Sequence, residues 1–358
     1  MIRARDLHPV AWWLWAIGLS VAASLTTNPL ILLMLIGVAA LVVSLRRSEQ
    51  PWGQSFRLYV WLGVVIVVVR VAFRLVFSGS FDGPVLLDLP TIPLPGWVDG
   101  VTLLGPIYAQ SLLFALYDGL RLATIVICVG AANSLANPKR LLRSVPPALY
   151  EIGTALVVAV SIFPQFADSV RRVRAAQALR AGETGRVSGL RRLLVPVLED
   201  ALERSLALAA GMDSRGYGRS GAATPAQRRT TGALMLLGLV GICVGTYAVL
   251  DRTAPRLLAL PMLAIGLAAA VAGLRSAGRR VGRTRYRPDP WRSPELAVVA
   301  AGLAVAGIGW WVSRYQVLVA YPPLDEFPTL SAAALAAGAI ALFGALCSPP
   351  AARAVVAA

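Results

Sequence analysis

The feature that most constrains this chain is the recurrence of sparsely charged apolar runs long enough to cross a lipid bilayer. They fall at roughly 11–27, 29–45, 58–77, 106–132, 231–250, 256–274, 295–313 and 330–347, with a shorter one at 147–163. A helical crossing needs about 20 apolar residues, because in hydrocarbon every backbone amide must be satisfied within its own segment. Apolar types make up 57% of the 358 residues and charged types 15%, against about 25% charged in a water-soluble domain. The chain therefore reads as an all-α polytopic membrane protein with about eight transmembrane helices. Cys128, Cys243 and Cys347 lie within or at the ends of these runs without metal-ligand spacing, so neither a disulfide framework nor a zinc site is expected. No small-residue cleavage site clearly follows the first run, so no removable leader is expected.

Charge placement orients the runs. Lys and Arg number 34 against 18 Asp and Glu, giving a net charge of +16 in which Lys139 is the only lysine. The arginines cluster between the apolar runs, which points to a bilayer face and away from nucleic acid. Short loops rich in Lys and Arg stay on the cytoplasmic side. Arg3 and Arg5 precede the first run, Arg46, Arg47 and Arg57 follow the second, and the segment from Ser78 to Gly105 carries Asp82, Asp88 and Asp99 with no basic residue. Lys139, Arg140 and Arg143 follow the fourth run, and residues 168–229 hold twelve arginines and six acids. Both flanks of 147–163 are thus cytoplasmic by charge, and parity lays that run along the inner face. Arg275, Arg279, Arg280, Arg283, Arg285, Arg287 and Arg292 form another inside loop, and Asp325 with Glu326 an outside one. The expectation is eight spans in the plasma or inner membrane with both termini cytoplasmic. By domain, residues 1–133 form a four-span bundle, 134–229 a cytoplasmic or interfacial piece, 230–250 a fifth span, and 251–358 further spans of no assigned role.

The piece between the fourth and fifth spans has a helical pattern. Val170, Val173, Ala176 and Ala178 form an apolar stripe beside Arg171, Arg172, Arg174 and Arg180, predicting an amphipathic helix over 166–181. Gly182, Gly185 and Gly189 predict a break, and a second helix is expected from about Leu190 to Met212 with a kink at Pro196. Each helix ends in small residues, one arginine, then small residues that stop the helix: Ala175-Ala176-Gln177-Ala178-Leu179-Arg180-Ala181-Gly182, and Ala209-Ala210-Gly211-Met212-Asp213-Ser214-Arg215-Gly216-Tyr217-Gly218. Small residues let a backbone sit close in a groove, and a lone guanidinium offers a planar fork to a carboxylate there. Two such tips imply a two-lobed partner. The alternative is that these arginines lie among lipid headgroups or cap the helix ends.

At these residues the chain resembles the transmembrane T component of energy-coupling factor (ECF) transporters, the EcfT/CbiQ family of ABC-type vitamin and metal importers. Ala176 to Ala181 is similar to the family's Ala-Gln-x-Ala-Arg-Gly, with Leu179 in place of alanine and Ala181 in place of glycine. Gly211 to Tyr217 is similar to Ala-Met-x-Ala-Arg-Gly-Tyr, with Arg215, Gly216 and Tyr217 retained. Phe163-Pro164 followed by Asp168, and Asn137-Pro138 ahead of a short basic segment, add to the likeness. The resemblance spans about residues 5–250. It implies a crossed pair of cytoplasmic coupling helices whose tips dock in grooves of two ATP-binding subunits and pass their closure to a substrate-binding S-type membrane subunit, for uptake of a vitamin or a transition metal. Arg180 and Arg215 would be the anchors, each contributing roughly 2 to 4 kcal/mol at a desolvated interface, with Ala176, Ala181, Gly211 and Gly216 keeping the tips slim. Ala148 to Phe163 would belong to the face offered to the S subunit.

The chain itself lacks the means to hydrolyse ATP: a phosphate loop needs glycine before lysine, and Lys139 follows Pro138. No cofactor or metal site is expected, since His8 is the single histidine. Within the spans, Arg70 and Arg74 share one helix face, as do Asp118 and Arg121. An ion pair between Asp118 and Arg70 across neighbouring helices is the structural expectation, and a polar patch meeting the S subunit the functional one. A membrane-embedded lipid or prenyl transferase would need clustered acids to hold Mg²⁺, yet Glu199, Asp200 and Glu203 sit on a leucine- and arginine-rich segment where helix-internal pairing accounts for them. A stand-alone secondary transporter would show paired interrupted half-helices, and none is visible.

Overall fold

The structure, a computed structural model, describes residues 6–47, 51–78, 84–90, 102–179, 186–217, 224–251, 255–279 and 289–349. In chain order these form α1 (Pro9–Ser24), α2 (Pro29–Arg46), α3 (Phe56–Val76), short strands β1 (Phe77–Ser78), β2 (Val85–Asp88), β3 (Thr102–Leu103) and β4 (Pro106–Tyr108), then α4 (Ala109–Leu135) and α5 (Pro138–Arg143). They continue with α6 (Tyr150–Leu179), α7 (Arg186–Ser214), α8 (Pro225–Leu250), α9 (Arg256–Gly278), α10 (Ser293–Tyr315), α11 (Val317–Ala320) and α12 (Ala332–Leu346). Each of the eight expected runs falls on one helix. Among the described residues seven helices are long and apolar enough to cross a membrane, and α1 and α12 are shorter apolar helices. The protein is an all-α polytopic membrane protein.

Helix starts follow capping chemistry. The His8 ring nitrogen accepts from the Val10 amide at 3.3 Å ahead of Pro9, and Asn28 Oδ1 accepts from the Leu30 amide at 2.9 Å ahead of Pro29. Both pairs place an acceptor before a residue that needs no amide partner. The acidic segment between α3 and α4 contains two antiparallel two-stranded pairings, β1 with β3 and β2 with β4. Hydropathy along the sequence gave no sign of them, because strands this short carry no readable alternation.

The described residues fall in two compact units, one within Met1–Leu141 and Asp289–Ala358, the other within Leu142–Pro288. In the first, α1 packs against α4 and α10, α2 against α4 and α12, and α3 against α4. Its core holds Trp15, Leu19, Leu32, Leu35, Val42, Cys128, Val298 and Val305. Close approach depends on small residues, as expected where lipid supplies no hydrophobic drive between helices: a Cβ on Gly18 would lie 2.1 Å from the Gly302 carbonyl oxygen, and one on Gly130 would lie 2.4 Å from the Tyr59 side chain. Trp15 Nε1 donates to the Ala341 carbonyl at 3.2 Å. At the α1–α2 turn, fully buried Asn28 donates to the carbonyls of Val319 (2.7 Å) and Thr329 (2.8 Å), and Thr26 Oγ1 donates to that of Ala320 (2.7 Å). The C-terminal helices α10 to α12 are therefore part of the same core as α1 to α4.

The second unit holds α6 to α9. Gly238, Gly241 and Gly245 of α8 meet Ala270, Gly266 and Leu263 of α9, so the two helices run antiparallel at a separation only glycine allows. The structure differs from the sequence reading in α6. The run at 147–163 and the amphipathic stretch after Phe166 are one continuous helix of 30 residues with Pro164 inside it. A single proline removes one amide donor at a cost of about 3 kcal/mol, and the unbroken helical pattern on both sides outweighs it. Likewise α7 begins at Arg186, includes Gly189 and carries Pro196 within its length.

Candidate functional site

The end of α7 carries a complete backbone stop. The Tyr217 amide donates to the Met212 carbonyl at 3.0 Å and the Gly216 amide to the Asp213 carbonyl at 2.9 Å, while Gly216 sits at φ +73°. This is the Schellman arrangement, in which the residue after the cap must enter the left-handed region and glycine does so without a Cβ penalty. Arg215 is thereby the last residue before the reversal. It is exposed, and its side chain pairs with no acid among the described residues. Gly211, one turn earlier, is exposed, and a Cβ there would meet nothing within 4 Å. Packing among the described residues does not require glycine at 211.

On α6, Ala176 is exposed near the end of the described helix, and Leu179, its last described residue, is 88% exposed. Arg180, Ala181, Gly182 and Gly185 lie outside the described residues. A leucine this bare, beside alanines, is an apolar knob with no socket among the described residues. Along α7 the apolar side chains Val195, Leu198, Leu202 and Leu206 are also exposed, and Leu156, Val160 and Phe163 are exposed on α6.

A polar knot ties the two helices together. Asp200 of α7 accepts from Ser169 Oγ of α6 at 2.5 Å, from an Arg172 guanidinium nitrogen of α6 at 3.3 Å, and from Arg204 Nε one turn along α7 at 3.0 Å. Beside it Val197 and Ser169 are buried. The Ser169 hydroxyl, followed by Arg204 and Arg172, holds the Asp200 carboxyl below the ordinary aspartate range, against the opposing effect of partial burial. The sequence reading expected helix-internal pairing for Asp200, which Arg204 supplies, but missed Ser169 and Arg172, which are 31 and 28 residues away. No local spacing signals such a contact.

Inside the first unit the structure brings Arg70, Asp118 and Arg121 together. Asp118 of α4 meets an Arg70 guanidinium nitrogen of α3 at 3.1 Å and one of Arg121 at 3.0 Å. The adjacent Gly119 permits the approach, since a Cβ there would stand 3.2 Å from Arg70 Cβ. An unpaired charge in a span costs roughly 2.5 to 3.5 kcal/mol on insertion scales, so one carboxylate shared by two guanidiniums lets α3 and α4 carry all three.

No curated protein matches the chain. Among families, residues 3–225 match CbiQ, the cobalt transport protein family. The match covers more than half of the sequence and includes α1 to α7, with both small-residue tips and the Asp118 cluster. With that match over a polytopic helical fold, the chain belongs to the CbiQ cobalt transport protein family.

Proposed function

We propose that this protein is the non-catalytic transmembrane coupling subunit of an ECF-type importer, in which α6 and α7 transmit ATP-driven closure of two separate ATP-binding subunits to a substrate-binding S-type subunit. The observation that carries the reading is the end of α7: an exposed arginine fixed by a glycine-dependent backbone reversal, on a surface that presents Gly211 where no described neighbour requires glycine. Arg215 and Arg180 are the anchors, each entering a carboxylate-bearing groove of one ATP-binding subunit. Ala176, Ala181, Gly211 and Gly216 keep side chains out of the way, and Leu179 adds apolar contact. The exposed apolar faces of α6 and α7 are the surface for the S subunit, and both termini lie on the cytoplasmic side. Among the described residues no group of three or more His, Cys, Asp or Glu is placed to hold a metal ion. Selection of a vitamin, cobalt or nickel belongs to the S subunit in this reading. The Asp118 cluster serves the α3–α4 pairing.

The test is co-purification of the ATP-binding subunits with Arg180→Glu, Arg215→Glu and the double variant. Charge reversal at a desolvated guanidinium should weaken each contact by at least about 2 kcal/mol, roughly thirtyfold in affinity. The double variant should abolish both the complex and uptake. A double variant that keeps its partners and transports normally would remove the tips as anchors.

A further inference from the structure

The hairpin of α8 and α9 starts where the family match ends, and it carries a charge pattern that coupling does not use. The pairs Gly238 with Ala270, Gly241 with Gly266 and Gly245 with Leu263 fix its antiparallel register. Near one end Thr231 Oγ1 and Ser276 Oγ lie 3.3 Å apart. Continuing the register sets Arg228 level with Arg279, with Arg229 beside it and Arg275 one turn earlier on α9. All four arginines are exposed, and none pairs with an acid among the described residues. The hairpin's only described acid, Asp251, caps the opposite end of α8. Four guanidiniums thus gather at one end of a two-helix unit with no carboxylate paired to them among the described residues, where their mutual repulsion favours an external anion.

We propose that this end of the hairpin binds the headgroup phosphate of an anionic phospholipid. The guanidinium fork matches phosphate oxygens in pairs. The surface directly above is what acyl chains require: Leu236, Leu237, Leu239 and Val240 of α8 and Leu267 of α9 are all exposed, on helices apolar enough to lie in a bilayer. A soluble anion would use the cluster but not that apolar flank. A phospholipid uses both, and its bound headgroup fixes how deeply the hairpin sits.

Native mass spectrometry of the full chain, titrated with phosphatidylglycerol and phosphatidylcholine in equal amounts, tests the site. Each arginine near an anionic lipid surface is worth roughly a fivefold gain in partition. The unaltered chain should retain phosphatidylglycerol preferentially. Replacing Arg228, Arg229, Arg275 and Arg279 together by glutamine should reduce that preference by at least about tenfold, and the doubles Arg228→Gln/Arg229→Gln and Arg275→Gln/Arg279→Gln should fall between. The doubles keep the test decisive if the fourfold variant does not fold. Arg171→Gln/Arg174→Gln on α6 should leave the preference unchanged. Equal retention of both lipids by the unaltered chain, or an equal loss from the α6 variant, would overturn the site. Complete displacement of the lipid by millimolar inorganic phosphate would assign the cluster to a soluble anion and overturn the lipid.

Discussion

At the scale of single residues, Gly216 and Gly211 are both glycines in an exposed helix end, yet they answer to different physics. Gly216 is required by backbone geometry, since its φ of +73° closes the amide bonds of Gly216 and Tyr217. Alanine there should cost about 1–2 kcal/mol. It should appear as faster amide hydrogen exchange at Gly216 and Tyr217 and as weaker binding of the ATP-binding subunits. Gly211 has open space around its Cα. Gly211→Ala should therefore strengthen the helix by up to about 1 kcal/mol and leave the exchange at 216 and 217 unchanged or slower. If binding weakens in both variants, only the first does so through backbone order, and the second reports a groove too narrow for an added methyl group. The arginine and the glycine were legible in the sequence as a motif; that the glycine completes a two-bond helix stop became visible only with the dihedral.

At the scale of helices, the polar contacts described between α6 and α7 converge on one carboxylate, that of Asp200. Because the Ser169 hydroxyl and two guanidiniums hold Asp200 below its ordinary range, its contribution to the pair is complete above the ordinary aspartate value. The contribution declines as pH falls through the lowered folded value, where the carboxylate takes up a proton and its hold on Arg172 and Arg204 weakens. Spin labels at exposed Ala178 and Ala209 should give a narrow distance distribution near neutral pH that broadens only in acid below the ordinary aspartate range. Asp200→Asn should be broad at every pH. A distribution in Asp200→Asn as narrow and as pH-dependent as in the parent chain would mean that other contacts hold the pair. The existence and type of the helices were readable because apolar periodicity is a local property of the sequence. The continuity of α6 through Pro164 was not, because a proline's local cost is visible in the sequence and the helix it interrupts is a cooperative sum. The Asp200 contacts were not readable either, because they join residues far apart in the chain.

At the scale of the whole molecule, the family match stops at residue 225, while α10 to α12 complete the packing of α1 and α2. From the sequence these last helices had no assigned role. Where Gly302 packs is set by Trp15 of α1, nearly three hundred residues earlier. A chain ending after Asp251 should lose the acceptors of Trp15 and Asn28 and leave those side chains unsatisfied, at about 1–3 kcal/mol for each polar group stranded away from water. It should elute as aggregate in size-exclusion chromatography in detergent where the full chain is monodisperse. A monodisperse shortened chain would show that α1, α2 and α4 hold together alone. The uninterrupted α6 bears on motion across the same scale. Its 30 residues make a stiff beam about 45 Å long, so a rotation of about 10° about one end swings the other by roughly 8 Å. A small tilt of its apolar half becomes a displacement at Leu179 as large as a side chain, carried by one continuous helix.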